Sequence, residues 1–434
     1  MKIVGLITEY NPFHNGHLYH IHESLRITGA DAALVVMSGD YVQRGTPAIM
    51  PKRLRTEMAL YCGAGAVLEL PVCYATGSAE FFALGAISLL DSLGIVDSVC
   101  FGSECSDLPL LQKIAGLLVD EPEQYREILR HELKLGKSFP AARQTAVVFC
   151  TGDPRCADIL KDPNNILGIE YLKALKKCGS SIRPYTIRRK GAGYHSSQLD
   201  GLYSSASAIR SLLAYSSSSI HTEFAGDDST ELSFSDILNE LGNQVPKKCL
   251  ELLSDFHKIQ YPVYQNDFSL ILKYKLLNKH PKSLVRYMDV SPELAARICT
   301  SLNDFFNYKQ FAGLLKTKEL TQTRINRALL HIMLGIKKDS VSEYMNSGYN
   351  FYARLLGFRK DCSQILTEIS KKSSLPLLTK LAESRELCEL GQRMLRDDIL
   401  ASNLYTSVVT DKFKTAFLNE YKQLSLIHIS EPTR

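Results

Sequence analysis

The chain has 434 residues, 45% of them hydrophobic, with a formal net charge of +5 and eleven cysteines. That length predicts two or three domains with ample core, while the lack of any run of eighteen apolar residues and of a signal-peptide pattern speaks against a membrane span and for a cytoplasmic protein. The cysteines are scattered, with no Cys-x-x-Cys pair, which argues against a structural zinc site and against a disulfide framework.

Up to about residue 210, short apolar runs alternate with amphipathic stretches, the pattern of a parallel α/β sheet. Strands are predicted over 3–8, 32–37, 66–70, 98–101 and 183–187. Helices are predicted over 16–28, 51–62, 78–93, 108–118, 122–135 and 165–178. A Ser-rich, acidic stretch over 216–231 reads as a linker. Beyond residue 232 strand signals fade and helical spacing dominates, as over 324–334 and 377–387. The expected fold class is therefore α/β: a Rossmann-like parallel-sheet domain over 1–215, then a mainly α-helical C-terminal domain over 232–423. The last eleven residues, 424–434, read as translated sequencing adapter and are left out of the fold.

The stretch Asn11-Pro12-Phe13-His14-Asn15-Gly16-His17-Leu18 falls between the first strand and the first helix. In an open α/β sheet that is the mouth of a nucleotide site, where a helix N-terminus offers free N–H groups to phosphate. Two imidazole donors held by a tight turn suit the charge that builds on a phosphoryl group under attack, and Gly16 lets backbone come close to it. A histidine pair alone more often reads as structural or as a metal pair. Ser38-Gly39-Asp40 closes the second strand and either caps a turn or offers a carboxylate to a ribose, an incoming amine or Mg²⁺. Gln43-Arg44-Gly45 and Lys52-Arg53-Leu54-Arg55 are either a solvated helix start or a phosphate-facing patch.

Further along, Phe101-Gly102-Ser103-Glu104 closes the fourth strand, where a glycine permits close packing or simply makes a turn. Asn164 and Asn165 open a helix, as caps or as amides facing a nucleobase or ribose. Arg188 and Arg189 end the fifth strand, followed by Gly191, Gly193, Tyr194 and His195; arginine forks onto phosphate. Ser204-Ser205-Ala206-Ser207-Ala208-Ile209-Arg210 opens the next helix, whose hydroxyls and amides suit β- and γ-phosphates.

Charge is unevenly placed. Residues 271–360 hold sixteen Lys or Arg against six Asp or Glu, so the rest of the chain is net acidic and the C-terminal half suits a polyanion. Lys316, Lys318, Arg324, Arg327, Lys337 and Lys338 are the candidate cations, with Arg354, Arg359 and Lys360 beyond them interleaved with Tyr352 and Phe358. Such a mixture neutralises phosphates and stacks bases, although each cation alone reads as well as part of a solvated face.

The His14-x-Gly16-His17 motif and the Ser204–Arg210 helix start together resemble the two signatures of the nucleotidylyltransferase superfamily. More narrowly, residues 5–17, 37–45, 163–167, 188–196 and 204–210 resemble the bacterial tRNA(Met) cytidine acetate ligases, with likeness over nearly all of 1–423. The resemblance implies that ATP and acetate give acetyl-adenylate, whose acetyl group passes to N4 of the wobble cytidine of elongator tRNA(Met); Mg²⁺ is expected on the triphosphate. It implies ATP contacts from Ile7, Thr8, Glu9, Tyr10, Asn11, Pro12, Phe13, His14, Asn15, Gly16, His17, Leu18, Tyr19, His20 and Gly102, from Asn164 or Asn165, and from Arg188 or Arg189. Ser204, Ser205 and Arg210 join them from the second signature. His14 and His17 would stabilise the transition state, and Asp40 would orient or deprotonate the attacking amine. No dedicated metal site is expected. Two rival readings are an adenylyltransferase for a small phosphorylated metabolite, which needs little beyond the α/β half, and a non-catalytic RNA-binding protein, which has no need of intact signatures.

Overall fold

The computed structural model describes residues 1–189, 204–215, 233–317 and 319–428. The expected linker, the segment with Gly191, Gly193, Tyr194 and His195, and Lys318 lie outside the described residues. The chain opens with β1 (Ile3–Thr8), α1 (Asn15–Thr28) and β2 (Ala32–Ser38), then a hairpin of β3 (Tyr41–Val42) and β4 (Thr46–Pro47). There follow α2 (Lys52–Tyr61), β5 (Ala64–Leu70), α3 (Ala79–Ser92) and β6 (Ser98–Ser103). Four helices come next, over Leu108–Asp120, Glu123–Lys134, Phe139–Thr151 and Arg155–Ile159, before α4 (Pro163–Cys178) and β7 (Arg183–Arg188). Proline in the first turn and Gly179 in the left-handed conformation (φ 61°) frame α4 at its two ends.

The strands run in the order β7-β6-β1-β2-β5, all parallel. β1 and β2 are apolar almost throughout because both faces are covered. Alternate residues go to opposite sides: Leu34 and Val36 enter the core beneath α3 and α4, whereas Val35 and Met37 enter the one beneath α1 and α2. Each predicted strand and helix of this half forms, with ends shifted by at most a few residues. The helix Phe139–Thr151 was not expected.

The C-terminal half is mainly helical, as expected. It includes α5 (Ala206–Tyr215), α6 (Lys247–Phe256), α7 (Ser269–Leu277), α8 (Gln322–Leu334) and the long α9 (Glu389–Phe413). It also corrects the expectation that strands fade after residue 232. β8 (Ala353–Arg359) pairs antiparallel with β5, and β9 (Leu377–Leu378) and β10 (Leu426–His428) pair parallel with β8. The helix expected over 377–387 is instead β9 plus a 3₁₀ turn over Leu381–Glu386, since pairing of Leu377 with Ala353 draws that backbone into the sheet. β10 lies within the segment set aside as foreign, and its backbone continues the sheet edge. No helix among the described residues is long and apolar enough to cross a membrane.

Candidate active site

β1 ends at Thr8 and the chain turns sharply before α1: Tyr10 has φ 48° and the Asn11–Pro12 bond is cis. Three contacts hold the turn. The Asn11 side-chain oxygen accepts from Ile49 N at 2.8 Å, Arg210 donates to the Asn11 carbonyl at 2.7 Å, and Arg55 donates to the Glu9 carbonyl at 2.6 Å. The buried guanidinium of Arg55 also donates to the carbonyls of Ser38 and Gly39, so it ties the ends of β1 and β2 together.

His14 is the N-cap of α1. Its Nδ1 accepts from Gly16 N at 3.0 Å, and its own N–H is accepted by His17 Nδ1 at 3.3 Å. With Nδ1 occupied as an acceptor, each neutral ring carries its proton on Nε2. Both stay neutral. Burial, reinforced by the nearby charges of Arg189 and Arg210, lowers the His14 pKa to about 3. Burial, with His14 and Arg189 adding to it, holds His17 well below the usual histidine range. His20 is lowered by burial to about 4, and its Nε2–H donates to the Cys100 carbonyl at 3.2 Å.

These rings line a cavity of about 270 Å³ at the C-terminal ends of β1, β6 and β7, with α5 across it. From the first motif, Ile7, Thr8, Glu9, Tyr10, Asn11, His14, Gly16, His17, Tyr19 and His20 are on its wall. Pro12, Phe13, Asn15 and Leu18 are not. Phe13 is fully buried and packs its ring 4.7 Å from that of Tyr10 and 5.5 Å from that of His17, and Asn15 bonds to the Asn243 carbonyl at 2.8 Å. They shape the turn from behind.

The open pairs separate. Asn164 and Arg189 line the cavity, bonded to each other at 3.3 Å, and Asn164 also donates to Glu104 at 2.5 Å. Asn165 is buried, its amide oxygen taking the N–H groups of Glu104 and Cys105 at 2.9 and 3.2 Å. Arg188 is exposed at the end of β7 and off the wall. Gly102 faces Arg189: a Cβ there would stand 3.2 Å from its Cγ. Ser204, Ser205 and Arg210 also line the cavity, and Ser205 Oγ caps α5 by accepting from Ala208 N at 3.1 Å.

Asp40 stands apart from these residues. It is buried and off the cavity wall; its Oδ1 accepts from Lys52 N at 2.7 Å at the start of α2. Burial raises its pKa, opposed by Lys52. The geometry is that of a turn and helix cap, the plainer of the two readings of Ser38-Gly39-Asp40. Gln43 and Arg44 do reach the wall, because Glu9 Oε1 accepts from Gln43 N at 2.9 Å and pulls the β3–β4 hairpin over the cavity. Lys52 and Arg55 are buried elsewhere. The wall also takes Val42, Thr46, Phe82, Leu167 and Tyr171. Phe82, Leu167 and Tyr171 carry ordinary helix-core spacing, and nothing local marks them.

Of the expected tRNA cations, Lys316, Arg324 and Lys337 are exposed. Arg327 is bound to Asp289 at 2.9 Å and Lys338 Nζ to the Val290 carbonyl at 2.7 Å, so those two hold the fold. Among the described residues no group of three or more His, Cys, Asp or Glu is placed to hold a metal.

The sequence profile of the HIGH nucleotidyl transferase family matches residues 1–420. A tRNA(Met) cytidine acetate ligase of Caldanaerobacter subterraneus subsp. tengcongensis is 43% identical over 407 residues, covering 94% of this chain and 95% of that protein. One from Acetivibrio thermocellus is 41% identical over 408 residues, 93% of this chain and 94% of that protein. The crystal structure of apo Thermotoga maritima TmcAL superposes with a TM-score of 0.89 at 31% identity, over 99% of this chain and 100% of that one. The same protein bound with alpha-thio ATP superposes at 0.87 over the same shares. A fold, a cavity and a sequence that agree over this length make the chain a member of the HIGH nucleotidyl transferase family and, within it, of the tRNA(Met) cytidine acetate ligases.

Proposed function

We propose that the chain joins acetate to ATP as acetyl-adenylate and passes the acetyl group to N4 of the wobble cytidine of elongator tRNA(Met). The observation that carries this reading is the neutral His14–His17 pair on a cavity wall shared with Arg189 and Arg210. An acetate oxygen attacks the α-phosphorus, the bond to the β-phosphate oxygen breaks, and pyrophosphate leaves. Two Nε2–H donors and two guanidiniums match the negative charge that grows on the α-phosphoryl oxygens and the leaving group, and the turn holds the two imidazoles before the reaction begins. Mg²⁺ enters on the triphosphate as part of the substrate.

In the second step the cytidine N4 attacks the acetyl carbon, AMP leaves with the bonding pair, and N4 gives up a proton. Asp40 is off the wall and is not assigned to that proton. Glu9 is the carboxylate among the described wall residues, and the role falls to it by position. The test is nucleoside mass spectrometry of elongator tRNA(Met) incubated with the protein, ATP and isotope-labelled acetate, with acetyl-CoA as the rival donor. Labelled N4-acetylcytidine that requires both ATP and acetate is the expected result. Its absence from reactions with folded, ATP-binding protein overturns the reading in favour of adenylyl transfer to a small metabolite.

A further inference from the structure

α7 buries Leu272 and Leu276 and turns a second apolar face outward. Leu270, Tyr274 and Leu277 are 80%, 68% and 60% exposed. Their i, i+4, i+7 spacing puts them within about 60° of arc on one side of the helix. Phe306, 83% exposed, is held beside the first turns of α7: Lys273 Nζ donates to the Phe305 carbonyl at 3.2 Å, and Tyr308 N donates to Ser269 Oγ at 3.0 Å. Single exposed apolar side chains are ordinary, but three large ones on one side of a helix, with Phe306 on the segment bonded beside it, mark a contact surface.

The charge around this face selects the partner. Residues 269–316 contain eight Lys or Arg and three Asp or Glu. The helix is also joined to the cavity, because Phe268, immediately before it, packs its ring 5.8 Å from Tyr41, and Tyr41 precedes the wall residues Val42 to Arg44. Aromatic rings on a cationic surface accept unpaired bases by stacking, while the cations meet the phosphates between them.

We propose that Tyr274 and Phe306, flanked by Leu270 and Leu277, form a stacking platform for unpaired bases of the tRNA substrate. This rests on the function proposed above and adds to it a second place of contact, apart from the reacting cytidine. A packed RNA duplex offers no free base faces, so the platform takes a loop or an end of the tRNA.

The experiment is fluorescence-anisotropy titration of a labelled elongator tRNA(Met) transcript at fixed salt. It compares the full-length protein, a Tyr274→Ala/Phe306→Ala double variant and a Tyr274→Phe/Phe306→Tyr variant, with thermal melts and light scattering on all three. Removal of both rings is expected to raise Kd by roughly tenfold or more, and the variant that keeps both rings is expected to bind like the parent. Equal Kd values for the parent and the alanine variant, with matching melts, overturn the platform and leave the function standing. A parent that binds no tRNA overturns both. A parent dimer that becomes a monomer in the alanine variant shows a face for a second copy of the chain and also overturns the proposal.

Discussion

The rings of His14 and His17 lie 3.8 Å apart, centroid to centroid, and the His17 ring nitrogen accepts the His14 backbone N–H. Each histidine thus depends on the other's position, and both Nε2–H groups are fixed by backbone N–H groups of the same turn. His14→Ala and His17→Ala should each lower kcat for acetate-dependent ATP–pyrophosphate exchange by about 10²–10³-fold, the usual loss for one preorganised donor. Steady-state exchange kinetics check this; a drop confined to KM would mean that the rings bind ATP without favouring the transition state.

The same burial should make the protein acid-sensitive. His14 titrates near 3 and His20 near 4 in the folded chain, below the ordinary 6.5. The unfolded chain therefore binds more protons between those values, and stability falls as pH drops from about 6.5 toward 4. Urea unfolding midpoints across this range should decline, and a His20→Gln variant should decline less steeply than the parent.

Neighbouring residues in two pairs should behave in opposite ways. Asn164→Ala and Arg189→Ala should raise KM for ATP by about tenfold, as loss of a charge-assisted contact does, with little change in melting temperature. Asn165→Ala should instead cost about 1–3 kcal/mol of stability, because two backbone N–H groups lose their acceptor. Arg188→Ala should change neither quantity. Isothermal titration with ATP alongside thermal melts separates the two classes.

A buried ionic cluster joins the two halves of the chain. Lys52 Nζ lies 2.8 Å from Glu69, 2.9 Å from Glu420 and 2.6 Å from Ser402 Oγ, and Arg354 lies 2.9 Å from Glu69 and also pairs with Glu420. Burial pushes the Glu420 carboxyl up, but Lys52 and Arg354 pull harder and leave it at about 2. Lys52→Met should cost about 3–5 kcal/mol in chemical denaturation, since it strands buried carboxylates. Asp40→Asn should also lower stability through the α2 cap, and it should leave acetyl transfer intact. Loss of transfer in a stable, ATP-binding Asp40→Asn protein would return that residue to the proton step.

Gly45 sits at φ +76° in the β3–β4 hairpin, against the backbone of Asn326 and Arg327 in α8. Gly45→Ala adds a left-handed strain of about 1–2 kcal/mol and a clash with rigid helix backbone. Melting temperature should fall, and KM values should rise because the hairpin carrying Gln43 and Arg44 is displaced from the cavity. Unchanged melting would show that the hairpin yields freely.

The parallel strands and their helices were legible because their signals are local: continuous Val, Ile and Leu runs, a proline that opens α4 and a glycine that closes it. So was the turn at His14-Asn15-Gly16-His17, whose residues cap their own helix. β8 was not legible. Its Leu355, Leu356 and Gly357 read as strand only beside β5, which lies far back in the chain. Nor could sequence choose between Asn164 and Asn165, or Arg188 and Arg189, since adjacent residues of one chemical type differ only in which way the backbone points them. For Asp40, Arg327 and Lys338, the amino-acid type announced a charge, but the partners came from distant segments: the α2 amide, Asp289 and the Val290 carbonyl. Local sequence settles what a residue is able to do with its own turn. Whether its charge is left for a ligand or consumed by the fold depends on groups that only the tertiary structure brings within hydrogen-bond reach.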